Sequence, residues 1–362
     1  MGFEAKDRDG DGAAKSLSVR SDAIVNQDQC VNKLTAMPTD IQWNARMPVF
    51  ASEAFLKSVS RDYGWIGGAD ASGQLRCILP YTVIHKLGVR IIRFRGETVP
   101  LAADLEVEEE KSFLNSTVEY LRGVGADMII PASNNSLFRT YPDGALVAPY
   151  GTIINDLQQP EEALWAGVAT DFRQNIRKAA KNGVQIKRSK EYLDSSYDLV
   201  AETLARSGMK FRSRDEFNAI LGNLDQNVEV FVAEAEGVLQ ACMVAPFSLH
   251  SAYDWYSGTI AKPVRGAMHA LLWESLLYFQ KRGVRKFNFT GVRINPEKGS
   301  KQEGILNFKM RFGGSLVQGY MWKYSYNRLK FAAYSVARRL WLGADVFDAE
   351  RQKNGSQTSV AE

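Results

Sequence analysis

Residues 247–314 read FSLHSAYDWYSGTIAKPVRGAMHALLWESLLYFQKRGVRKFNFTGVRINPEKGSKQEGILNFKMRFGG, and their hydrophobic pattern changes period twice. Residues 251–259 are apolar and aromatic, residues 267–280 have helical spacing, and residues 285–290 alternate. The pattern predicts a strand, a crossover helix and a second, parallel strand. The helix N-terminus then lies beside the strand ends, where free backbone N–H groups can hold an anion.

Positive charge is found on both sides of this unit. Lys262 and Arg265 lie at the mouth, next to the predicted helix N-terminus. Gly291 ends the second strand, and the polar, glycine-broken segment after it predicts a loop. That loop leads to Phe308 and Lys309, which precede a Phe-Gly-Gly turn. Lys309 is therefore expected between an apolar run and a turn.

Two blocks of sequence resemble the FemAB family of aminoacyltransferases and its acetyltransferase-like (GNAT-like) relatives. One block comprises residues 255–258 (WYSG), 288–291 (NFTG) and 304–314 (GILNFKMRFGG), and the other is residues 172–184 (FRQNIRKAAKNGV). Their order and separation agree with the family, and the resemblance covers about residues 43–324. It implies an α/β (α+β) fold of two tandem GNAT-like domains with mixed central sheets.

Length and composition favour two globular domains. The chain has 362 residues, of which 45% are hydrophobic and 24% are charged. A net charge of +4 is too small to indicate nucleic-acid binding overall, so a polyanion site requires local clustering. Cys30, Cys77 and Cys242 lie far apart without a CxxC pair, which argues against a disulfide framework or zinc site. Neither a secretion signal nor a membrane-length apolar window occurs, so a cytoplasmic protein is expected.

The predicted domain organisation has four parts. Residues 1–38 are polar and poor in aromatic side chains, which predicts a disordered tail. Residues 39–155 form the first GNAT-like domain and residues 156–326 the second, since strands, a helix and a further strand occur in both. Residues 327–362 contain a basic amphipathic helix and a frayed end.

A row of cations lies on a helix that is predicted over residues 160–183. The apolar stripe of this helix repeats every four residues: Leu164, Val168, Phe172, Ile176 and Ala180. Arg173, Arg177 and Lys181 follow one position along and form either a solvated face or an anion site. Arg188 and Lys190, just past the next strand, lengthen the patch and favour the anion site.

The C-terminal helix, predicted over residues 327–342, has two different faces. One face is apolar: Leu329, Ala333, Val336, Ala337 and Leu340. The other face is basic: Arg328, Lys330, Arg338 and Arg339. Such a helix can lie on an anionic membrane, and the alternative is a terminal helix docked on its own domain.

The family resemblance implies a site around Lys309. In the family, the lysine of the Phe-Lys pair is associated with stabilising developing negative charge, and here that pair is Phe308 and Lys309. The expected substrate-binding residues are Arg173, Asn175, Arg177, Lys181, Trp255, Tyr256, Arg265, Asn288 and Gly291. No Ser/His/Asp order or HExxH motif occurs, and the three histidines are scattered, so we expect structural roles for them. Direct attack by an acceptor amine is therefore favoured over a covalent enzyme intermediate.

The expected function is transfer of an aminoacyl or acyl group to an amine of a cell-envelope precursor, in peptidoglycan or polysaccharide biosynthesis. The expected partners are a nucleotide- or lipid-linked precursor and charged tRNA, with peripheral membrane contact as an option. No metal and no bound cofactor are expected, and the donor is aminoacyl-tRNA or acyl-CoA. CoA is the weaker donor, because residues 262–270 keep only part of the acetyltransferase pyrophosphate loop. The alternatives are a CoA-dependent sugar N-acyltransferase and a non-catalytic RNA- or lipid-binding protein.

Overall fold

The computed structural model describes residues 33–131, 136–342 and 346–351. Most of the two predicted tails, residues 1–32 and 352–362, lies outside these residues. The N-terminal tail ends earlier than predicted, because Thr35–Thr39 form strand β1, which pairs antiparallel with the next strand. Leu34 anchors this segment, since its side chain is 2% exposed and its backbone N–H donates to Ser112 Oγ at 3.2 Å.

The first half of the chain contains the predicted meander and helix. Its further elements are α1 (Glu53–Val59), β2 (Asp62–Ala69), β3 (Leu75–Lys86), β4 (Val89–Phe94), β5 (Val99–Pro100), α2 (Val107–Gly123) and β6 (Met128–Ile130). Helix α2 begins with a capping box, in which Glu109 reaches back to the backbone N–H of Glu106 at 3.0 Å. Its buried face packs Phe113, Leu114 and Leu121 against this half of the sheet.

The second half contains more helices. Its elements are β7 (Leu146–Asp156), α3 (Glu161–Gly167), α4 (Thr170–Lys181), β8 (Gln185–Arg188), α5 (Leu193–Ala205), α6 (Arg214–Leu224), β9 (Val228–Ala235), β10 (Val238–Pro246), β11 (Ala252–Tyr253), β12 (Tyr256–Thr259), α7 (Ala267–Lys281), β13 (Lys286–Val292), α8 (Lys301–Met310), β14 (Ser315–Ser325) and α9 (Arg328–Leu342). The predicted mixed α/β class is confirmed.

Among the described residues, the strands form two sheets. Ten strands form the larger sheet in the order β1-β2-β3-β4-β6-β14-β7-β13-β11, with β5 beside β3. The smaller sheet has the order β12-β10-β9-β8. Strand β14 pairs with β6 on one side and with β7 on the other, so the larger sheet continues through both predicted domains. The domain boundaries themselves stay a prediction.

The predicted crossover unit joins the two sheets. Strand β11 pairs parallel with β13, and α7 connects them, which confirms the predicted strand-helix-strand unit. The predicted strand 251–259 is interrupted, however. Its first part, β11, pairs with β13, whereas its second part, β12, pairs antiparallel with β10 of the smaller sheet. Asp254 and Trp255 lie at the point of separation. We call these two residues and the facing residues 289–291 the strand fork.

The segment before Lys309 is a helix rather than the predicted loop. Helix α8 begins after Ser300, whose hydroxyl accepts the backbone N–H of Glu303 at 3.2 Å. The Glu303 carboxylate in turn accepts the backbone N–H of Gly299 at 2.6 Å. The Ser-x-x-Glu signature of a helix start was present in the sequence, and the proline and glycines around it obscured it.

The predicted helix 160–183 is two helices. It breaks at Val168 and Ala169, where the Ala169 N–H donates to the carbonyl of Arg311 at 2.9 Å instead of continuing the helix. The Phe-Gly-Gly turn packs closely against this break. Gly313 has φ +82°, and a Cβ there would lie 2.8 Å from the Gly167 carbonyl carbon, so only glycine fits. The inward face of α4 keeps Phe172 and Ile176 of the predicted stripe and continues at Ala179, because a helix repeats every 3.6 residues rather than every four. The predicted Ala180 is exposed.

One hydrophobic cluster links the two halves of the chain next to the strand fork. Phe50 of the first half packs against Tyr253 at 4.7 Å and against Trp255 at 5.4 Å between ring centroids. Phe217 of α6 and Ile78 of β3 belong to the same cluster. Since Phe50 and Tyr253 are almost fully buried, this contact fixes the position of the fork relative to the first half.

Candidate active site

Lys309 points into the protein at the strand fork. Its ammonium group donates to three consecutive carbonyl oxygens, those of Phe289, of Thr290 at 3.5 Å and of Gly291 at 3.3 Å. Burial lowers the pKa of Lys309, and the nearby carboxylate of Asp254 opposes this effect. The prediction that Lys309 lies next to a turn is correct. Its side chain, however, extends inward to the carbonyl groups of residues 289–291.

A β-bulge presents these carbonyl groups. The pairing of β13 with β7 shifts between Asn288 and Gly291, and Thr290 takes a left-handed φ of 59°. The side chain of Asn288 holds this conformation, because its Oδ1 accepts the Thr290 N–H at 2.7 Å and the Thr152 hydroxyl at 2.6 Å. Asn288 is buried, so the structure gives it a positioning role, and its predicted contact with substrate stays a prediction.

Asp254 provides the opposite charge at the fork. Its backbone N–H donates to the carbonyl of Asn288 at 3.0 Å, and its carboxylate accepts the hydroxyl of Ser257. Burial raises the pKa of Asp254, whereas Lys309 and the Ser257 hydrogen bond lower it. A carboxyl with a raised pKa and an ammonium with a lowered pKa therefore lie near enough to interact electrostatically, which is typical of acid–base sites.

Trp255 and Tyr256 form an aromatic wall beside this pair. Their rings stack at 4.4 Å, and Phe55 of α1 contacts Trp255 edge-on at 5.9 Å. The guanidinium of Arg212 lies 6.0 Å from the Trp255 ring centroid and 5.7 Å from that of Tyr256. Burial raises the pKa of Tyr256 to about 12, so its hydroxyl stays protonated near neutral pH. These rings lie at the junction of the two halves, and their predicted contact with substrate stays a prediction.

The predicted cation row on α4 has local partners. Arg173 donates to the carbonyl groups of Trp165 at 3.1 Å and Ala166 at 3.2 Å, near the end of α3. The guanidinium of Arg177 lies 5.4 Å from the Trp165 ring centroid, and Lys181 is exposed. The row therefore joins α4 to α3, and its contact with phosphate stays a prediction.

The patch does not extend past β8 as expected. Arg188 pairs with Glu229 at 2.8 Å and Lys190 with Asp225 at 3.1 Å, so carboxylates neutralise both cations. The sequence pattern could not reveal this, because both acids lie more than thirty residues downstream.

Asn175 and Arg265 meet at the N-terminus of α7. Arg265 Nε donates to the Asn175 side-chain oxygen at 3.0 Å. The next residue, Gly266, has φ +90°, and a Cβ on it would lie 2.1 Å from the backbone oxygen of Asn175. Helix α4 therefore packs directly on this helix end, at the side where the sequence predicted an anion.

Comparisons with known proteins relate this chain to one family and to several solved structures. The FemAB family model matches residues 145–237. This part of the chain, from β7 to the β9–β10 turn, is similar to the FemAB family. The solved structure of FemX is similar, with a TM-score of 0.60, 15% identity, and coverage of 79% of this chain and 92% of that chain. At this identity, the structural similarity shows a shared fold. The family match confirms the predicted class of enzyme, an aminoacyltransferase or acyltransferase.

Two other solved structures are similar at lower scores. One is the C-terminal domain (DUF2156) of a putative lysylphosphatidylglycerol synthetase from Agrobacterium fabrum, with a TM-score of 0.49, 15% identity, and coverage of 84% of this chain and 95% of that chain. The other is L-PGS from Bacillus licheniformis, with a TM-score of 0.46, 14% identity, and coverage of 80% and 91%. No curated protein matches the sequence.

The histidines do not join the strand fork. His85 forms a surface pair with Asp62 at 3.2 Å, and His269 packs edge-on against Phe172 at 4.4 Å. Phe308 packs against the same His269 ring at 5.4 Å, so its side chain is part of an aromatic cluster. Burial lowers the pKa of His269. The catalytic role expected for Phe308 stays a prediction.

His250 provides a stability test of the fold. Burial, with help from Lys286 and Arg285, lowers its pKa from 6.5 to about 3. The unfolded chain therefore binds one more proton between these values, and stability falls as the pH is lowered from 6.5 towards 3. We expect His250→Gln to remove up to about 1.4 kcal/mol per pH unit from this slope. Urea unfolding of both proteins from pH 4 to 7 measures the slope of stability against pH.

The exposed histidine supplies the control for that experiment. His85→Gln changes a histidine whose side chain is 58% exposed, and its acid slope is measured beside that of His250→Gln. An identical slope in His250→Gln and the wild type would show that His250 is hydrated in solution.

Proposed function

We propose that the protein transfers an aminoacyl group from aminoacyl-tRNA to an amine of a cell-envelope precursor. The observation that carries the proposal is the placement of Lys309 and Asp254 together at the strand fork, beside the junction of the two halves. Acyl transfer needs a cation where the carbonyl oxygen gains charge and a base for the attacking amine. The fork contains one of each.

The reaction steps follow from these two groups. The acceptor amine attacks the ester carbonyl of the donor, and a C–N bond forms while the carbonyl oxygen becomes an oxyanion. The ammonium of Lys309 stabilises that oxyanion, and the carboxylate of Asp254 takes the proton from the attacking nitrogen. Collapse of the intermediate breaks the ester C–O bond. The proton then passes from Asp254 to the leaving ribose oxygen, so Asp254 returns to its ionised state.

The described cysteines support direct attack by the amine. Cys77 and Cys242 are both buried, and burial raises the pKa of each thiol to about 12. A thiol of this kind remains protonated at neutral pH and is a poor nucleophile. A ternary complex of donor, acceptor and enzyme therefore fits the site better than a covalent enzyme intermediate.

The aromatic wall is the proposed path of the acceptor. Trp255 and Tyr256 can contact the apolar faces of a sugar or a lipid, and Arg212 carries a cation to the same place. A guanidinium over an aromatic ring suits a phosphate group of a nucleotide- or lipid-linked precursor. Arg173, Arg177 and Lys181 on α4 remain candidates for the phosphates of the RNA backbone.

The packing of α4 on α7 supports an RNA-linked donor over CoA. A CoA pyrophosphate bound at the α7 N-terminus would need room near Gly266, where the backbone oxygen of Asn175 already lies. The second half therefore offers little space for that mode of donor binding.

A transfer assay tests the proposal. The full chain is mixed with an envelope-precursor fraction and either tRNA charged with radiolabelled amino acids or radiolabelled acyl-CoA. We expect label to pass from tRNA to the precursor as a base-stable amide, since an amide resists the alkali that cleaves the tRNA ester. Transfer from acyl-CoA alone would favour the sugar N-acyltransferase. Binding of RNA or anionic lipid without transfer to any precursor would contradict an enzymatic role.

A further inference from the structure

Helix α9 exposes an apolar stripe. The side chains of Leu329, Val336 and Leu340 are 85%, 60% and 78% exposed. Ala332 and Ala333 lie between them on the same face and are also exposed. This spacing of three, four and seven residues is that of one helix face, so the stripe is continuous. Large aliphatic side chains this exposed indicate a surface that contacts something else.

The opposite face of α9 is docked, which fixes the direction of the stripe. Phe331 and Tyr334 pack against a buried cluster that includes Ile91 and Met128. The side chain of Lys330 donates to the carbonyl of Gly88 at 3.0 Å and pairs with Asp127 at 2.9 Å. The helix cannot rotate to bury its leucines without losing these contacts. The docked alternative from the sequence therefore describes this face of α9.

A second element, bonded to α9, exposes another apolar side chain. Leu87, at the tip of the β3–β4 hairpin, is 94% exposed and has a left-handed φ of 50°. Its neighbour Gly88 is the residue that accepts the hydrogen bond from Lys330. The hairpin tip is thus tied to the first turn of α9. Each of the two elements exposes a leucine, Leu87 and Leu329.

The charge around the stripe has one sign. Helix α9 contains four cations and no acid: Arg328, Lys330, Arg338 and Arg339. Arg328 and Arg339 are exposed beside the leucines. Apolar side chains bordered by arginines are complementary to an anionic lipid surface, where acyl chains lie just beneath phosphate groups.

We propose that α9 and the β3–β4 hairpin tip dock this protein on an anionic membrane surface. Leu87, Leu329, Val336 and Leu340 enter the boundary between head groups and acyl chains, while Arg328 and Arg339 contact the lipid phosphates. The contact is peripheral, and within the described residues no helix has the length and apolarity needed to cross a bilayer. The proposal does not rest on the transfer reaction.

Vesicle sedimentation tests this surface. The full chain is spun with vesicles of phosphatidylcholine alone and with vesicles containing about one third phosphatidylglycerol. We expect binding to the anionic vesicles and a loss of affinity of at least about tenfold in Arg328→Gln/Arg339→Gln, since these substitutions remove two cations that anionic head groups attract. Leu329→Gln/Leu340→Gln should abolish binding at high salt, where only the apolar contact remains.

The matched control is Val238→Gln, which changes another exposed aliphatic residue, 53% exposed, on the β9–β10 hairpin. It should bind like the wild type. Equal binding to neutral vesicles, or none to either, would overturn the proposal. So would a concentration-dependent dimer that Leu329→Gln/Leu340→Gln abolishes, because the stripe would then hold a second copy of the chain.

Discussion

Lys309→Met is expected to lower kcat by about tenfold to a thousandfold, the loss that follows removal of one oxyanion-stabilising donor. In the proposed mechanism the ammonium group stabilises the negative charge on the donor's carbonyl oxygen, and methionine has nearly the same length without the charge. KM should change less than kcat, because the interaction forms mainly in the transition state. Steady-state kinetics of label transfer, with thermal unfolding of the same preparations, measures both effects.

The three carbonyl contacts of Lys309 raise a structural alternative that the same measurements resolve. If the ammonium only holds the bulge at Thr290 in shape, Lys309→Met should lower Tm, and activity should fall with the folded fraction. Lys301→Met, an exposed change on the same helix, is the matched control and should keep full kcat. A well-folded Lys309→Met protein with wild-type kcat would contradict the proposed role.

The fold was largely predictable because its decisive signals are local. The period of residues 267–280 and the alternation of residues 285–290 sufficed for the crossover unit, and the structure confirms the parallel pairing. The division of the predicted strand 251–259 between two sheets was not predictable. It depends on which neighbour each half of the strand finds, and those neighbours, β10 and β13, are set by tertiary packing.

The candidate site was predictable only in part. The family resemblance led to Lys309, but nothing local indicates that its side chain turns back to the carbonyl groups of residues 289–291. Asp254 was missed, although it is the one acidic residue in the apolar run 251–259. A carboxylate in such a run needs a partner, and this was the signal available. The bulge that holds the site depends on Thr152, more than 130 residues upstream of its partner Asn288.

For the cation row on α4, the sequence predicted the shared face but not the local partners. Spacing alone placed Arg173, Arg177 and Lys181 on one face, and they do share it. The sequence did not indicate that carbonyl groups at the end of α3 would accept hydrogen bonds from a side chain, because a single helix was predicted there. Once the helix breaks at Val168, these carbonyls need donors, and Arg173 supplies them.

Asp254→Asn is expected to lower kcat by about a hundredfold to ten-thousandfold, as loss of a general base does. The asparagine keeps the shape of the side chain and cannot take the proton from the attacking amine. The wild-type pH profile should be bell-shaped. Its acid limb lies above the ordinary range of aspartate because burial raises the pKa of Asp254, and its alkaline limb lies below that of free lysine because burial lowers the pKa of Lys309. Rates of label transfer across pH 5 to 10 measure both limbs.

Ser257→Ala separates a catalytic Asp254 from a structural one. The Ser257 hydroxyl donates to the Asp254 carboxylate and so favours its ionised form. Without that donor the pKa of Asp254 rises further, and the acid limb should move to higher pH while the maximal rate is largely kept. The acceptor amine titrates equally in every variant, so the comparison isolates Asp254. An acid limb that stays in place in Ser257→Ala, together with its survival in Asp254→Asn, would assign it to the acceptor amine and remove Asp254 from the mechanism.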